Sequence, residues 1–252
     1  SAASKAKRVK PGLEIQVFEK SGYISYGACG LPYFVGGMIA EPDDLVAVNA
    51  ETMRNKRGIP TWIHHEVTSI NRGEKTVAVK NLDTGEERIH PYDKLVIATG
   101  AVPAAPPIPG IHSEGVYYLR TVEDGIRLKA TVQREAKSAV IIGGGFIGLE
   151  LAEELTLSGV SVTIFEQLPR LLPFLDPVFS QSVLENLERH GVKVHTGTGV
   201  AEILTQDGRA RWVRTPQGET LETDFVLVSA GVKPASGLAG QAGLALGLKG
   251  AI

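Results

Sequence analysis

Cysteine is almost missing from this chain: Cys29 is the only one in 252 residues. An internal disulfide is therefore excluded, and redox work by that thiol would have to run through a sulfenic acid or a mixed disulfide with another molecule. Charge of one sign is missing too, since the net charge of −2 gives no overall pull toward nucleic acid or an acidic membrane. No apolar run approaches the roughly 18 residues of a membrane span, and the basic start Ser1–Lys10 has no apolar signal core. These absences lead to the expectation of a cytoplasmic protein without a nucleic-acid or membrane partner. Six histidines are present, but the adjacent His64 and His65 would point to opposite faces of a strand, and no spaced ligands join them. No metal site is expected.

What the chain does have is 43% hydrophobic residues, 21% charged residues and 29 glycines, a composition suited to an α/β protein. The clearest organisational signal is an internal repeat. Leu13–Glu19 and Val160–Glu166 are short apolar runs that each end in an acid, seven residues after Gly12 and Gly159 respectively. Val-x-x-Ile strands follow at 67–70 and 200–203, then polar turns around Gly85 and Gly218. Asp93-Lys-Leu-Val-Ile-Ala-Thr-Gly100 then aligns without gaps on Asp224-Phe-Val-Leu-Val-Ser-Ala-Gly231.

Only the second copy has a complete front end. Ala139–Ile142 leads into Gly143-Gly-Gly145-Phe146-Ile147-Gly148, a helix follows to Ser158, and Glu166 lies eighteen residues beyond the last glycine. This is a dinucleotide fingerprint in its proper context. Gly143 permits the tight turn, Gly145 lets backbone approach a pyrophosphate, and Gly148 allows close helix–strand packing. Glu166 would bond ribose hydroxyls and repel a 2′-phosphate, which favours NADH, while Arg170 keeps NADPH open. In the first copy the equivalent of Gly148 falls at about Ser1, so the first glycine turn would precede the chain. Ala2, Ala3, Ala6 and Val9 then mark a helix whose beginning is missing. By symmetry Glu19 would serve a second nucleotide, with a solvated strand end as its bland alternative.

Together, Phe18-Glu19-Lys20, Ser25-x-x-x-Cys29-Gly30, Ala98-Thr99-Gly100, Gly143–Gly148 with Leu149-Glu150, and Gly231-x-x-Pro234 resemble the flavin-dependent pyridine nucleotide-disulfide oxidoreductases. The resemblance covers the whole chain and points to the single-cysteine branch of coenzyme A-disulfide reductases, NADH oxidases and NADH peroxidases. Cys-Gly-Leu-Pro-Tyr is similar to the coenzyme A-disulfide reductases. The implied fold is α/β, with two Rossmann-like three-layer dinucleotide-binding domains, each carrying a β-meander crossover. The expected division is an FAD-binding domain over 1–115, re-entered at about 245–252, and an NAD(P)H-binding domain over 116–244. Crossovers are expected over Ala101–Pro109 and Gly237–Gly250. Family members extend beyond both ends, so the chain is expected to be a fragment, inactive alone, of a homodimeric protein.

The resemblance implies a redox role for Cys29. It puts Glu19, Lys20, Val67, Thr99, Gly100, Gly143, Gly145, Phe146, Ile147, Gly148, Glu150, Glu166 and Gly231 at the cofactors FAD and NADH, or NADPH. It puts Ser1, Lys5, Arg8, Ser25 and Arg57 at a coenzyme A substrate, although Ala28 stands where that family often has asparagine. Thr99-Gly100 is expected to end a parallel strand beside the flavin. Thr121 with Asp124 reads as an N-cap pair, and Asp176-Pro177 as the opening of a capped helix. Alternatives stay open: an NADH oxidase or peroxidase cycling through a sulfenic acid, persulfide or polysulfide reduction by the same thiol, and a non-catalytic NAD-binding or interaction module.

Overall fold

Three nearly continuous apolar runs, Ala139–Ile142, Val162–Phe165 and Phe225–Val228, are buried along their whole length, as strands in the middle of a parallel sheet must be. The computed structural model describes residues 1–134 and 136–252. Its α-helices are α1 (Ala2–Val9), α2 (Leu31–Gly36), α3 (Ala50–Arg57), α4 (Val122–Gln133), α5 (Phe146–Leu157), α6 (Pro177–Arg189) and α7 (Gly237–Gln241). Contacts divide the chain into two units. Unit 1 comprises Ser1–Gly27, Val46–Val102 and Lys233–Ile252, and unit 2 comprises Ala28–Leu45 and Pro103–Val232.

In unit 2 the five parallel strands lie in the order Lys193–Thr196, Ser161–Glu166, Ser138–Ile142, Phe225–Val228, Val116–Tyr117. Chain order reverses between Ser138–Ile142 and Phe225–Val228, and the carboxyl ends beside such a reversal are where α/β sheets hold ligands. A meander of Glu202–Gln206, Arg209–Arg214 and Thr220–Glu222 packs through Ile203 and Val213 on Val140, Phe165 and Val226. α4 opens with the expected capping box: the Asp124 amide donates to Thr121 Oγ1 at 3.2 Å, and the Thr121 amide donates to Asp124 Oδ2 at 2.9 Å. α6 begins at Pro177 as expected, but the Asp176 side chain makes no cap bond. Proline at the first helical position lacks only an amide that would have had no intrahelical partner there.

α2 packs on α4 and α5. Lys129 on α4 holds the chain that leaves α2, donating to the carbonyls of Ile39 and Ala40 at 3.0 and 2.7 Å while its ammonium lies 4.1 Å from the Phe34 ring centre. At the other end of the sheet, Asp224 accepts from the amides of Lys137 and Ser138 at 2.8 and 2.9 Å. Burial pushes this carboxyl up, but those two amides, the Ser138 hydroxyl and Arg211 outweigh burial and hold it below its ordinary value.

Unit 1 repeats the plan in reduced form. Its antiparallel meander is His65–Asn71, Thr76–Asn81 and Glu87–Pro91, and a short parallel pair joins Val17–Phe18 to Thr61–Trp62. His64 lies in a bend ahead of the first meander strand, with a left-handed backbone (φ 55°), and bonds Asp83 at 3.1 Å. The two adjacent histidines therefore do not share a strand.

The expected parallel strand ending at Thr99-Gly100 is corrected by the structure: residues 95–100 run outside any ladder. Val96 is 68% exposed, whereas its repeat counterpart Leu227 is fully buried. The physical reason is pairing. Phe225–Val228 hydrogen-bonds along Ser138–Ile142, and no segment of the first copy stands in the position of Ser138–Ile142.

Candidate functional site

The glycine turn of unit 2 follows Ser138–Ile142 at the carboxyl edge of the sheet. Gly143 has φ +111°, and a Cβ there would lie 2.6 Å from the Ser229 carbonyl oxygen; glycine alone satisfies both conditions. Ser229, just beyond Phe225–Val228, closes the turn by donating its hydroxyl to the Gly143 carbonyl at 2.9 Å. At Gly148 a Cβ would come 2.6 Å from Ser229 Oγ and 3.3 Å from Ile141, the close helix–strand approach expected of the third glycine.

Gly145 differs from both neighbours. It is the N-cap residue of α5, no side chain caps the helix, and a Cβ there would meet nothing within 4 Å. Open space over uncapped helix amides fits an anion. Phe146 and Ile147 are exposed at 58% and 40%, and Phe146 packs its ring 5.3 Å from that of Phe174. Glu150 is half-buried one turn along α5.

Glu166 closes the far side of this cradle. Its Oε2 accepts from the Gly144 amide at 2.7 Å and its Oε1 from the Leu168 amide at 2.8 Å, so the carboxylate is oriented before any ribose arrives. Arg170 donates to the Pro173 carbonyl at 2.8 Å. Gly231 has φ +94° and accepts from the Ala104 amide at 2.9 Å. The residues present fit a dinucleotide. A recess of about 680 Å³ lies instead at the amino ends of the strands, where Arg209 pairs with Glu114 at 2.9 Å and Arg211 with Asp224 at 3.3 Å.

Cys29 also belongs to unit 2. It is exposed within the 3₁₀ turn Ala28–Gly30, which runs directly into α2. A Cβ at Gly30 would lie 2.6 Å from Leu45 and 3.2 Å from Ile39, so this glycine lets the turn settle on its own return loop. α2 packs on α5, which places the thiol's turn and the glycine turn at the beginnings of two helices in contact.

In unit 1, Glu19 repeats part of the Glu166 geometry, its Oε1 accepting from the Ser21 amide at 2.8 Å. The His65 amide donates to the Glu19 carbonyl at 2.9 Å, joining this acid to the strand that holds Val67. Lys20 is exposed. Thr99 donates its hydroxyl to the Ala235 carbonyl at 2.5 Å, and Gly100 (φ +69°) accepts from the Ala235 amide at 2.9 Å. Both border a cavity of about 190 Å³ shared with Ile97, Ser236 and Ile252. For a second dinucleotide this unit offers an acid and a strand edge without a glycine turn.

The basic residues near the start come together in part. Lys5, Arg8 and Ser25 are exposed, and Ser1 is the N-cap residue of α1. Arg57 on α3 donates to Ser4 Oγ at 2.9 Å. Ser4 was not singled out by sequence reasoning, although its place one turn before Arg8 was a signal.

A family model described as pyridine nucleotide-disulphide oxidoreductase matches residues 1–252. The chain is 34% identical over 256 residues to the NAD(P)H coenzyme A polysulfide/persulfide reductase of Pyrococcus horikoshii, covering 100% of this chain and 55% of that protein. It is 35% identical over 226 residues to an NADH oxidase of Enterococcus faecalis, covering 89% of this chain and 50% of that one. The structure of an NAD-dependent persulfide reductase from A. fulgidus matches with a TM-score of 0.95 at 40% identity, over 100% of this chain and 47% of the other. The chain thus spans about half the length of the relatives it matches.

Proposed function

Because the chain belongs to the pyridine nucleotide-disulphide oxidoreductase family, we propose that the protein carries electrons from NAD(P)H through FAD to Cys29, which reduces coenzyme A disulfide or a related disulfide or persulfide. The observation that carries this reading is the contact of α2, which begins just after the exposed thiol, with α5, which begins at the glycine turn. Residues 1–115, re-entered at about 245–252, would form the flavin domain and 116–244 the nicotinamide domain, in a cytoplasmic homodimer.

Within this reading Gly143, Gly145 and Gly148 shape the turn, and the first amides of α5 face the pyrophosphate. Glu166 accepts from ribose hydroxyls and disfavours a 2′-phosphate, which makes NADH the preferred donor over NADPH. Phe146, Ile147 and Gly231 would contact the dinucleotide, and Glu150 would lie near the junction of nicotinamide and flavin. Glu19, Lys20, Val67, Thr99 and Gly100 would contact FAD. Held by these residues, FAD would supply two-electron transfer between the nicotinamide and sulfur. Ser1, Lys5, Arg8, Ser25 and Arg57 would hold the phosphates and pantetheine arm of coenzyme A.

The sulfur chemistry balances on Cys29. Its thiolate attacks one sulfur of the disulfide, that S–S bond breaks, and one coenzyme A thiolate leaves and takes a proton. The mixed disulfide on Cys29 is then cleaved by the two electrons that originate in NADH, releasing the second coenzyme A thiol and restoring the thiolate. Overall, one NADH and one proton yield NAD⁺ and two thiols.

The test is NADH and NADPH turnover by the full-length protein with and without coenzyme A disulfide, beside Cys29→Ser. Thiol release that requires both Cys29 and the disulfide supports the proposal. NADH consumption that requires only oxygen or peroxide assigns the protein to sulfenic-acid chemistry instead.

A further inference from the structure

Charge on two helices of unit 1 is almost all of one sign. α1 carries Lys5, Lys7 and Arg8, α3 carries Arg54, Lys56 and Arg57, and Glu51 is the only acid on either. No ion pair among the described residues involves these helices. Their cations are held by neutral acceptors instead: Lys7 donates to the Leu13 carbonyl at 2.8 Å, Arg54 to the Thr61 carbonyl at 3.2 Å, and Arg57 Nη1 to Ser4 Oγ at 2.9 Å. A neutral acceptor fixes a cation in place and leaves its charge for another group. The Arg57 anchor spans both helices. Ser4 stands on α1 one turn before Arg8, and Met53 on α3 one turn before Arg57. Met53 is 7% exposed, and its thioether sulfur can only accept. It accepts from the Ser4 hydroxyl and from Arg57 Nη1, each at 3.7 Å. With its hydrogen on sulfur, Ser4 Oγ turns its lone pairs to Arg57.

We propose that Ser4, oriented by Met53, is a positioning residue for Arg57: it holds one nitrogen of the guanidinium against α1, so that the opposite edge, with Lys5 and Arg8, meets a phosphate of the substrate. Both bonds of the anchor use Nη1. Nε and Nη2, which form the fork along the other edge, are left to bind a phosphate in bidentate fashion. Lys5 follows Ser4 directly, and Arg8 shares its helix face one turn on. A guanidinium tied down in advance gives up less rotamer freedom when the phosphate arrives than a free arginine would. Ser4 itself touches no ligand in this scheme; it acts only through Arg57. The phosphate as ligand rests on the coenzyme A reading above, while the anchoring of Arg57 does not.

The test is calorimetric binding of adenosine 3′,5′-bisphosphate, a phosphate-bearing piece of coenzyme A, to the intact FAD-loaded protein, with NAD⁺ present to fill the glycine turn. Ser4→Ala is expected to weaken binding by roughly threefold to tenfold, and Ser4→Thr, which keeps the hydroxyl, to retain the wild-type affinity. Met53→Leu, which keeps the apolar volume and removes the acceptor, should weaken binding in the same direction by less. Because Ser4 acts through Arg57, adding Ser4→Ala to Arg57→Ala should change the affinity no further, a non-additive cycle. If Ser4→Thr does not fold, the cycle decides alone. A Ser4→Ala protein that binds as the wild type does overturns the proposal, as does an additive cycle or a wild-type protein that leaves the bisphosphate unbound. Binding is read without turnover, so a bisphosphate held through Ser4 and Arg57 by a protein that leaves coenzyme A disulfide unreduced would count against the redox reading and not against the anchor.

Discussion

Glu166 Oε2 lies 2.7 Å from the amide of Gly144, so the acid that ends one strand is tied to the glycine turn that ends its neighbour. Two backbone donors share this carboxylate, the other being Leu168. Glu166→Gln must turn its amide nitrogen toward one of them and lose that bond. The expected result is NADH binding weakened by about fivefold to tenfold, with discrimination against NADPH reduced. Fluorescence titration of the two nucleotides would check it.

The glycines of the turn should separate by function. Gly143→Ala is expected to destabilise by about 1–3 kcal/mol, because its left-handed φ and the Ser229 carbonyl both oppose a Cβ. Gly145→Ala, with open space around it, should stay within about 1 kcal/mol of wild type yet lose most of its NADH affinity. Denaturant unfolding and nucleotide titration on the same samples distinguish the two outcomes.

Asp224 predicts an acid limb. Its folded value is held low, so its contribution is present above the ordinary carboxylate range and is lost as pH falls through the folded value. Asp224→Asn should cost about 1 kcal/mol at neutral pH and less in acid, where wild type and variant converge. Urea midpoints measured at both ends of that range would show it.

The repeat offers an internal control. Leu227→Asn places an amide in a fully buried strand and should cost about 3 kcal/mol or more. Val96→Asn, at the equivalent position of the first copy, should change the stability of this chain by no more than about 0.5 kcal/mol.

These contrasts show what was legible in the residues. The capping box of Thr121 and Asp124 and the turn of Gly143–Gly148 are local, fixed by neighbours within a few positions, and both stand where the spacing put them. The strand at Asp93–Gly100 looked as sound as Phe225–Val228, but a strand exists only through its partner, and pairing is not encoded in the run itself. Glu154 on α5 was unreadable for a similar reason. In Ala-Glu-Glu-Leu it resembles solvated helix charge, but it is 4% exposed, packed against Gly36 far away in sequence. The contact of α2 with α5 arises between segments more than a hundred residues apart, where no periodicity connects them.

Lys129 fastens the chain beyond α2 with an ammonium shared between two carbonyls and an aromatic face. A second cysteine could have stapled the same loop, but it would also have competed for every oxidising equivalent reaching Cys29. A charge clasp is silent to oxidants and reductants alike. The loop can therefore stay fastened through either oxidation state of the thiol, and Cys29 is left as the only sulfur in the chain able to form a disulfide.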